Sequence, residues 1–192
     1  AGLGFRYEFL AQPNLQYFVV TNETTQFNLG ADHKAFWIPG DYDTNEYPYT
    51  ESKLSEVDAI GKGNATEIST RTVIAKNAVQ TPLMMKSASG LYINIHEAAL
   101  KEYPAMDLLI DAAAGFVLTT TLVPDAFGNK AYKKAPSQTP WRVVNVSDKA
   151  TDILASRIIL NLNEPSVITN TSWIKPQKFV GVWWEMHVGK AT

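Results

Sequence analysis

The residues of this chain best placed to do chemistry lie in Gly90-Leu-Tyr-Ile-Asn-Ile-His-Glu-Ala-Ala-Leu100. Leu91, Ile93 and Ile95 alternate with Tyr92, Asn94 and His96, the period of a strand with one core face and one polar-aromatic face. Glu97 comes where that strand is expected to give way to a short helix over Ala98–Tyr103. A carboxylate at a strand end can meet a metal ion or a sugar hydroxyl. It can equally cap the helix that follows, a contribution of about 0.3–1 kcal/mol. Spacing alone leaves both readings open.

A second acidic patch is Asp41-Tyr-Asp-Thr-Asn-Glu-Tyr-Pro-Tyr49, with Glu51 just beyond. Oxygen donors at this density suit Ca²⁺, which takes about six to eight of them. The spacing is not that of an EF-hand, and a solvated loop whose tyrosines pack on the surface is the preferred reading. Tryptophans beside carboxylates are what sugar sites use, since pyranose rings stack on aromatic faces. Trp37, Trp141, Trp183 and Trp184 are the candidates, the last two more suited to burial in a strand. His33, His96 and His187 are too far apart in sequence to form a local metal cluster. A glycine-rich phosphate loop, a Gly-x-Ser-x-Gly elbow and a His-Glu-x-x-His helix are all missing from the sequence.

The elements that must position these residues read as strands. Short runs rich in β-branched and aromatic residues cover Phe5–Phe9, Tyr17–Thr21, Gln26–Leu29, Glu67–Ala75, Leu83–Lys86, Leu91–His96, Met106–Ile110, Phe116–Leu122, Trp141–Val146 and Arg157–Asn161. Gly, Pro, Asn and Asp clusters separate them, the pattern of an all-β sandwich. Gly61–Gln80 is expected to be a protruding hairpin, Asp125–Thr139 an exposed loop, and Asp148–Leu154 a short helical turn capped by Ser147 or Asp148. With 45% hydrophobic and 11% aromatic residues, the 192-residue chain can bury a real core. A formal charge of −2 gives no footprint for nucleic acid, and no apolar run is long enough to span a bilayer. The absence of cysteine removes disulfides and thiolate chemistry. Asn-x-Ser/Thr sequons at Asn22, Asn64, Asn145 and Asn170 are read as chance in an Asn- and Thr-rich sequence.

Near the C-terminal end, Phe179-Val-Gly-Val-Trp-Trp-Glu-Met-His187 is a continuous apolar run, the pattern of a strand buried on both faces. Few residues follow to cover it, so the chain is expected to be a piece of a larger protein. The expected division is a β domain over residues 1–165, then a linker and the first strand of a second domain over 166–192. Left uncovered, the segment Phe179 to His187 is expected to drive self-association.

Several stretches together resemble glycoside hydrolase family 97. They are Phe5-Arg-Tyr-Glu-Phe9, Tyr47-Pro-Tyr49 with Leu54-Ser-Glu56, Ile93-Asn-Ile-His-Glu-Ala-Ala-Leu100 with Tyr103-Pro-Ala-Met106, Thr139-Pro-Trp-Arg142, Thr171-Ser-Trp-Ile-Lys-Pro176 and Val180-Gly-Val-Trp-Trp-Glu-Met-His187. Their order and spacing span nearly the whole chain. The resemblance implies an N-terminal β-supersandwich like that of galactose mutarotase, leading into the first strand of a (β/α)₈ barrel. It implies a bacterial, periplasmic α-glucosidase or α-galactosidase acting on oligosaccharides, with Ca²⁺ near the sugar held partly by the N-terminal domain. Carried over by motif, Glu97 is the implied Ca²⁺ ligand, with Asn45 beside Glu46 as a second. The catalytic carboxylates are implied to lie downstream; Glu185 is not one of them. The chain alone is therefore expected to be inactive and to hold Ca²⁺ too weakly to retain it. The alternative is a stand-alone carbohydrate-binding β-sandwich with Trp37 or Trp141 as its platform. A mutarotase-like epimerase fits poorly, because His96 and Glu97 are adjacent in a strand and point to opposite faces.

Overall fold

The computed structural model describes residues 1–66 and 70–180. Two antiparallel sheets pack face to face, as the all-β reading requires, and they do not close into a barrel. The larger sheet runs β1 (Gly2–Phe5), β14 (Trp141–Ser147), β9 (Tyr92–Ala98), β8 (Leu83–Lys86), β5 (Lys34–Trp37), β6 (Thr50–Lys53). The smaller runs β4 (Gln26–Asn28), β11 (Val117–Leu122), β10 (Met106–Asp111), β7 (Ala78–Gln80). Two ribbons complete the described strands: β3 (Tyr17–Val20) with β12 (Ala131–Lys134), and β2 (Glu8–Phe9) with β13 (Ser137–Gln138).

Alternation builds the core. In β11, Leu118, Thr120 and Leu122 are buried while their neighbours are less so, the two-residue period of a strand with one face inward. Those leucines and Leu108 of β10 meet Leu83, Met85 and Ile95 of the larger sheet, all fully buried. Burying each such side chain contributes about 1.5–3 kcal/mol.

The outer face of the larger sheet carries α2 (Ala150–Leu154) and α3 (Ile158–Leu162), which pack on β14 and β9. The predicted strand Arg157–Asn161 is thus mostly this short helix: its Ile-Ile-Leu run lies flat on a sheet instead of joining one. The helical turn expected at Asp148–Leu154 is present as α2. Neither Ser147 nor Asp148 is its cap residue; Lys149 is, and it makes no side-chain cap bond.

Other expectations change for local reasons. The predicted helix over Ala98–Tyr103 is absent, because Ala98 completes β9 and the chain must cross from one sheet to the other before β10. That crossing puts Ala99 and Glu102 in the left-handed region, at φ 51° and 49°. The predicted strand Phe5–Phe9 is divided between β1 and β2, which pair with different partners. The expected hairpin Gly61–Gln80 instead begins with α1 (Ala59–Asn64), started by Asp58, whose Oδ1 accepts from the Gly61 N–H, and ends with β7. The predicted loop Asp125–Thr139 contains β12 and β13. Strands β5 and β6 went unpredicted; β6 reads Thr-Glu-Ser-Lys, with no apolar alternation to show it.

Between residues 163 and 180 the chain forms no helix or strand. Phe179 and Val180 are exposed, and the rest of the predicted strand to His187 lies outside the described residues.

Gly40 sets the approach of the segment that follows it. Its N–H donates to the Ala78 carbonyl at 2.9 Å, and a Cβ here would lie 2.6 Å from Ala78 Cβ and 2.9 Å from Ala78 carbonyl carbon. Backbone cannot rotate away as a side-chain tip can. Gly40→Ala should destabilise the domain by about 1–3 kcal/mol, read as a lowered denaturation midpoint in urea.

Candidate functional site

Glu97 lies on the inward side of β9, in line with Ile93 and Ile95, and directly opposite Arg142 of β14. Its Oε2 accepts from Arg142 Nη1 at 2.6 Å and its Oε1 from the Met106 N–H at 3.2 Å. Arg142 is 0% exposed. Its Nε and Nη2 donate to the two oxygens of Glu23 at 2.8 and 2.7 Å, a bidentate pair. Glu23 in turn accepts from Thr25 Oγ1 at 2.8 Å and from the Tyr103 hydroxyl at 2.9 Å. No helix follows Glu97, so its alternative reading as a helix cap is overturned.

The two carboxylates respond differently to the same cation. Burial pushes Glu23 upward, but the Arg142 hydrogen bonds and charge, with Thr25 and Tyr103, outweigh it and hold its pKa below the usual value. Burial dominates at Glu97 and raises its pKa, since one Arg142 contact and one amide do not offset it. Burial and the neighbouring Glu23 carboxylate likewise raise the Tyr103 phenol, which stays a donor.

Glu97 and Asn45, the two predicted ligands, line one cavity of about 350 Å³. Loop 41–45 forms one wall, and Asp107, Gln80 and Thr81 share the lining. Asp41 shapes that loop: its Oδ1 accepts from the N–H groups of Asp43, Thr44 and Thr72, and its Oδ2 from the Tyr47 hydroxyl at 2.7 Å. The patch read as a solvated loop is therefore anchored at both ends, with Asp41 and Tyr47 buried. Saturated by protein donors, the Asp41 carboxylate serves the backbone.

The oxygens facing this cavity fit a hard cation in kind. Each Glu97 oxygen spends one lone pair on an N–H and retains another, and Asn45 offers an exposed amide. They do not fit in number. Among the described residues, no group of three or more acidic or histidine side chains is arranged to hold a metal, against the roughly six to eight oxygens Ca²⁺ takes.

Sequence reasoning missed Glu23, Arg142 and Asp107. The signal for Arg142 and Asp107 was a single charge inside a strand-like apolar run, Trp-Arg-Val-Val and Met-Asp-Leu-Leu; Glu23 carried none. The tryptophan platform is overturned. Trp37 is 1% exposed, its indole N–H donating to Ser52 Oγ at 3.0 Å. The Arg6 guanidinium covers Trp141 at 4.4 Å from the ring centre, and its buried indole N–H has no partner. His33 and His96 lie apart from the Glu97 cavity, and burial lowers the His96 pKa. Trp183, Trp184, Glu185 and His187 lie outside the described residues.

Asp107 is 4% exposed, and burial, then the charges of Glu97 and Asp41, push its pKa up to about 8. Its folded pKa exceeds the unfolded 3.8, so the folded state gains from the proton below that value and loses the gain as pH rises toward 8. Asp107→Asn removes the titration. Melting temperatures across pH 5 to 9 should therefore show the variant gaining on the parent as pH rises; parallel curves would refute the assignment.

Known proteins resemble the chain along its length. It is 36% identical to a glycoside hydrolase family 97 enzyme from Pseudoalteromonas sp. strain K8 in complex with acarbose, with a TM-score of 0.76 over 98% of this chain and 26% of that one. A variant of that enzyme in complex with panose matches equally well. The retaining alpha-galactosidase of Bacteroides thetaiotaomicron is 25% identical over 94% of this chain and 29% of its own length. A beta-arabinopyranosidase, 16% identical with a TM-score of 0.53, shares the fold alone. The chain thus spans between a quarter and a third of the family 97 enzyme and of the alpha-galactosidase. Residues 1–165 match the glycosyl-hydrolase 97 N-terminal domain, and the chain belongs to that family.

Proposed function

We propose that this chain is the N-terminal part of a longer glycoside hydrolase acting on α-glucosides or α-galactosides. In this reading it supplies Glu97 and Asn45 to a Ca²⁺ site and forms one wall of the sugar pocket. The observation that carries it is the meeting of those two residues in one cavity, with Glu97 held by Arg142 and the Met106 amide. Bound Ca²⁺ would supply positive charge beside the sugar. Glu23, Arg142 and Glu97 together leave one net negative charge at that point, which favours a cation. The acid, base or nucleophile carboxylates belong to the downstream portion.

A bacterial periplasmic location belongs to the same proposal. Among the described residues no helix is long and apolar enough to cross a membrane.

Three measurements test this reading. The purified 192-residue chain should not hydrolyse p-nitrophenyl α-glucoside or α-galactoside. Calorimetry should detect no Ca²⁺ binding tighter than about 1 mM, because few oxygens converge. In the longer gene product, Glu97→Gln should weaken Ca²⁺ by at least about tenfold and lower kcat/KM with it. A Glu97→Gln enzyme with unchanged Ca²⁺ affinity and activity would remove Glu97 from the site.

Self-association through Phe179 to His187 is the remaining part of the proposal. The exposure of Val167, Trp173, Phe179 and Val180 supports it. A chain shortened to end at Pro165 should sediment as a monomer at a concentration where the full chain is associated. The same association state for both would count against it.

A further inference from the structure

The β3–β12 ribbon presents a face that the Glu97 cavity leaves unexplained. Tyr132 stands opposite Val19, and Lys134 opposite Tyr17, so these four side chains share one side of the ribbon. Tyr17 and Tyr132 are 75% and 62% exposed. The Tyr132 hydroxyl donates to Asp125 Oδ2 at 2.7 Å and accepts from Asn129 Nδ2 at 2.9 Å, so its ring is held before any ligand arrives. Lys134 Nζ lies 5.3 Å from the Tyr17 ring centre, bringing N–H donors beside that ring.

Two cavities, of about 560 and 420 Å³, meet at the edge of this face, and Glu102 and Ser137 line both. The Ser137 hydroxyl is buried without a partner, a hydrogen bond left unmade. The Ser137 hydroxyl takes no part in the Arg142 cluster, and the two cavities share no lining residue with the one at Glu97.

Charge narrows the ligand class. Across both cavities Glu8, Glu102 and Glu164 balance Lys101, Lys133 and Lys134. An anionic ligand would call for an excess of cations. The core of a protein interface would be depleted in Lys and Glu. A neutral molecule dense in hydroxyls uses both signs: it donates to carboxylates, accepts from ammonium groups and lays its C–H face on an aromatic ring.

We propose that Tyr17, Tyr132, Glu102 and Ser137 form an oligosaccharide-binding subsite separate from the Glu97 cavity. The ligand class rests on the preceding reading of the chain as part of an oligosaccharide-acting enzyme; the position of the subsite does not.

The test is an NMR titration of the 192-residue chain with maltoheptaose and, separately, with stachyose. Saturable shifts in the Tyr17 and Tyr132 ring signals are expected with at least one sugar. Tyr17→Ala and Tyr132→Ala should each weaken binding by about two- to tenfold, and the double variant should abolish it. Both side chains are exposed, so unchanged melting of the variants verifies their folds. Glu97→Gln should bind as the parent does. No saturation by either sugar below about 50 mM overturns the subsite, and so does binding that survives the double tyrosine variant. Sugar binding lost in Glu97→Gln but kept in the tyrosine variants would place it at the other cavity. None of these outcomes bears on the Ca²⁺ or activity tests of the longer enzyme, so failure here and failure of that reading remain distinguishable.

Discussion

One fully buried guanidinium organises the domain. Arg142 ties β14 to β9 through Glu97 and to the segment before β4 through Glu23, 119 residues away in sequence. Removing one partner from such a cluster leaves a charge buried without compensation, at a cost of about 3–5 kcal/mol. Replacing the whole cluster by packed apolar groups costs far less, so bulk stability is a poor account of its presence. Its geometric effect is specific. Glu97 is held at both oxygens, by a side chain from its own sheet and by the amide that begins β10 in the other.

That arrangement also accounts for the loop between β9 and β10. Met106 must bring its N–H back to Glu97, and Tyr103 must bring its hydroxyl to Glu23, within the few residues that cross between sheets. Two residues with side chains enter the left-handed region to meet both demands, at an expense of about 1–3 kcal/mol each. A helix over the same residues, which Ala-Ala-Leu-Lys-Glu suggests by propensity, would meet neither. Tertiary bonding overrode local preference here.

How much of this could be read in the chain follows from where the signal lay. Alternation in Leu91–His96 and Phe116–Leu122 marks two central strands, because each has one buried face. Strand β6 buries little and its Thr-Glu-Ser-Lys run carries no apolar alternation, so pairing alone defines it and sequence pattern does not. The pairing of Glu97 with Asn45 came from motif resemblance, and the structure places both on one cavity. Arg142 sat inside a quoted motif, yet its role depends on Glu23, which no local spacing connects to it. Trp37 and Trp141 were misread for the opposite reason: a large aromatic beside polar residues looks the same in sequence whether it faces solvent or a guanidinium.

Among the described residues β1 pairs only with β14, Gly2 standing opposite Asn145 and Phe5 opposite Arg142. On a ribosome the earliest strand of the larger sheet must therefore wait until nearly all of the domain has emerged. Until then β9 has β8 on one side but lacks β14 on the other, and Glu97 lacks the Arg142 guanidinium. The N-terminal segment spends its synthesis as an open hydrogen-bonding edge, the kind of surface on which nascent chains associate wrongly. Closure is then a late, long-range event with a high loop-closure cost, the topology of a slow folder. The docking of β14 completes the charge cluster, so the Glu97 carboxylate is fixed in place only after two segments far apart in sequence have paired.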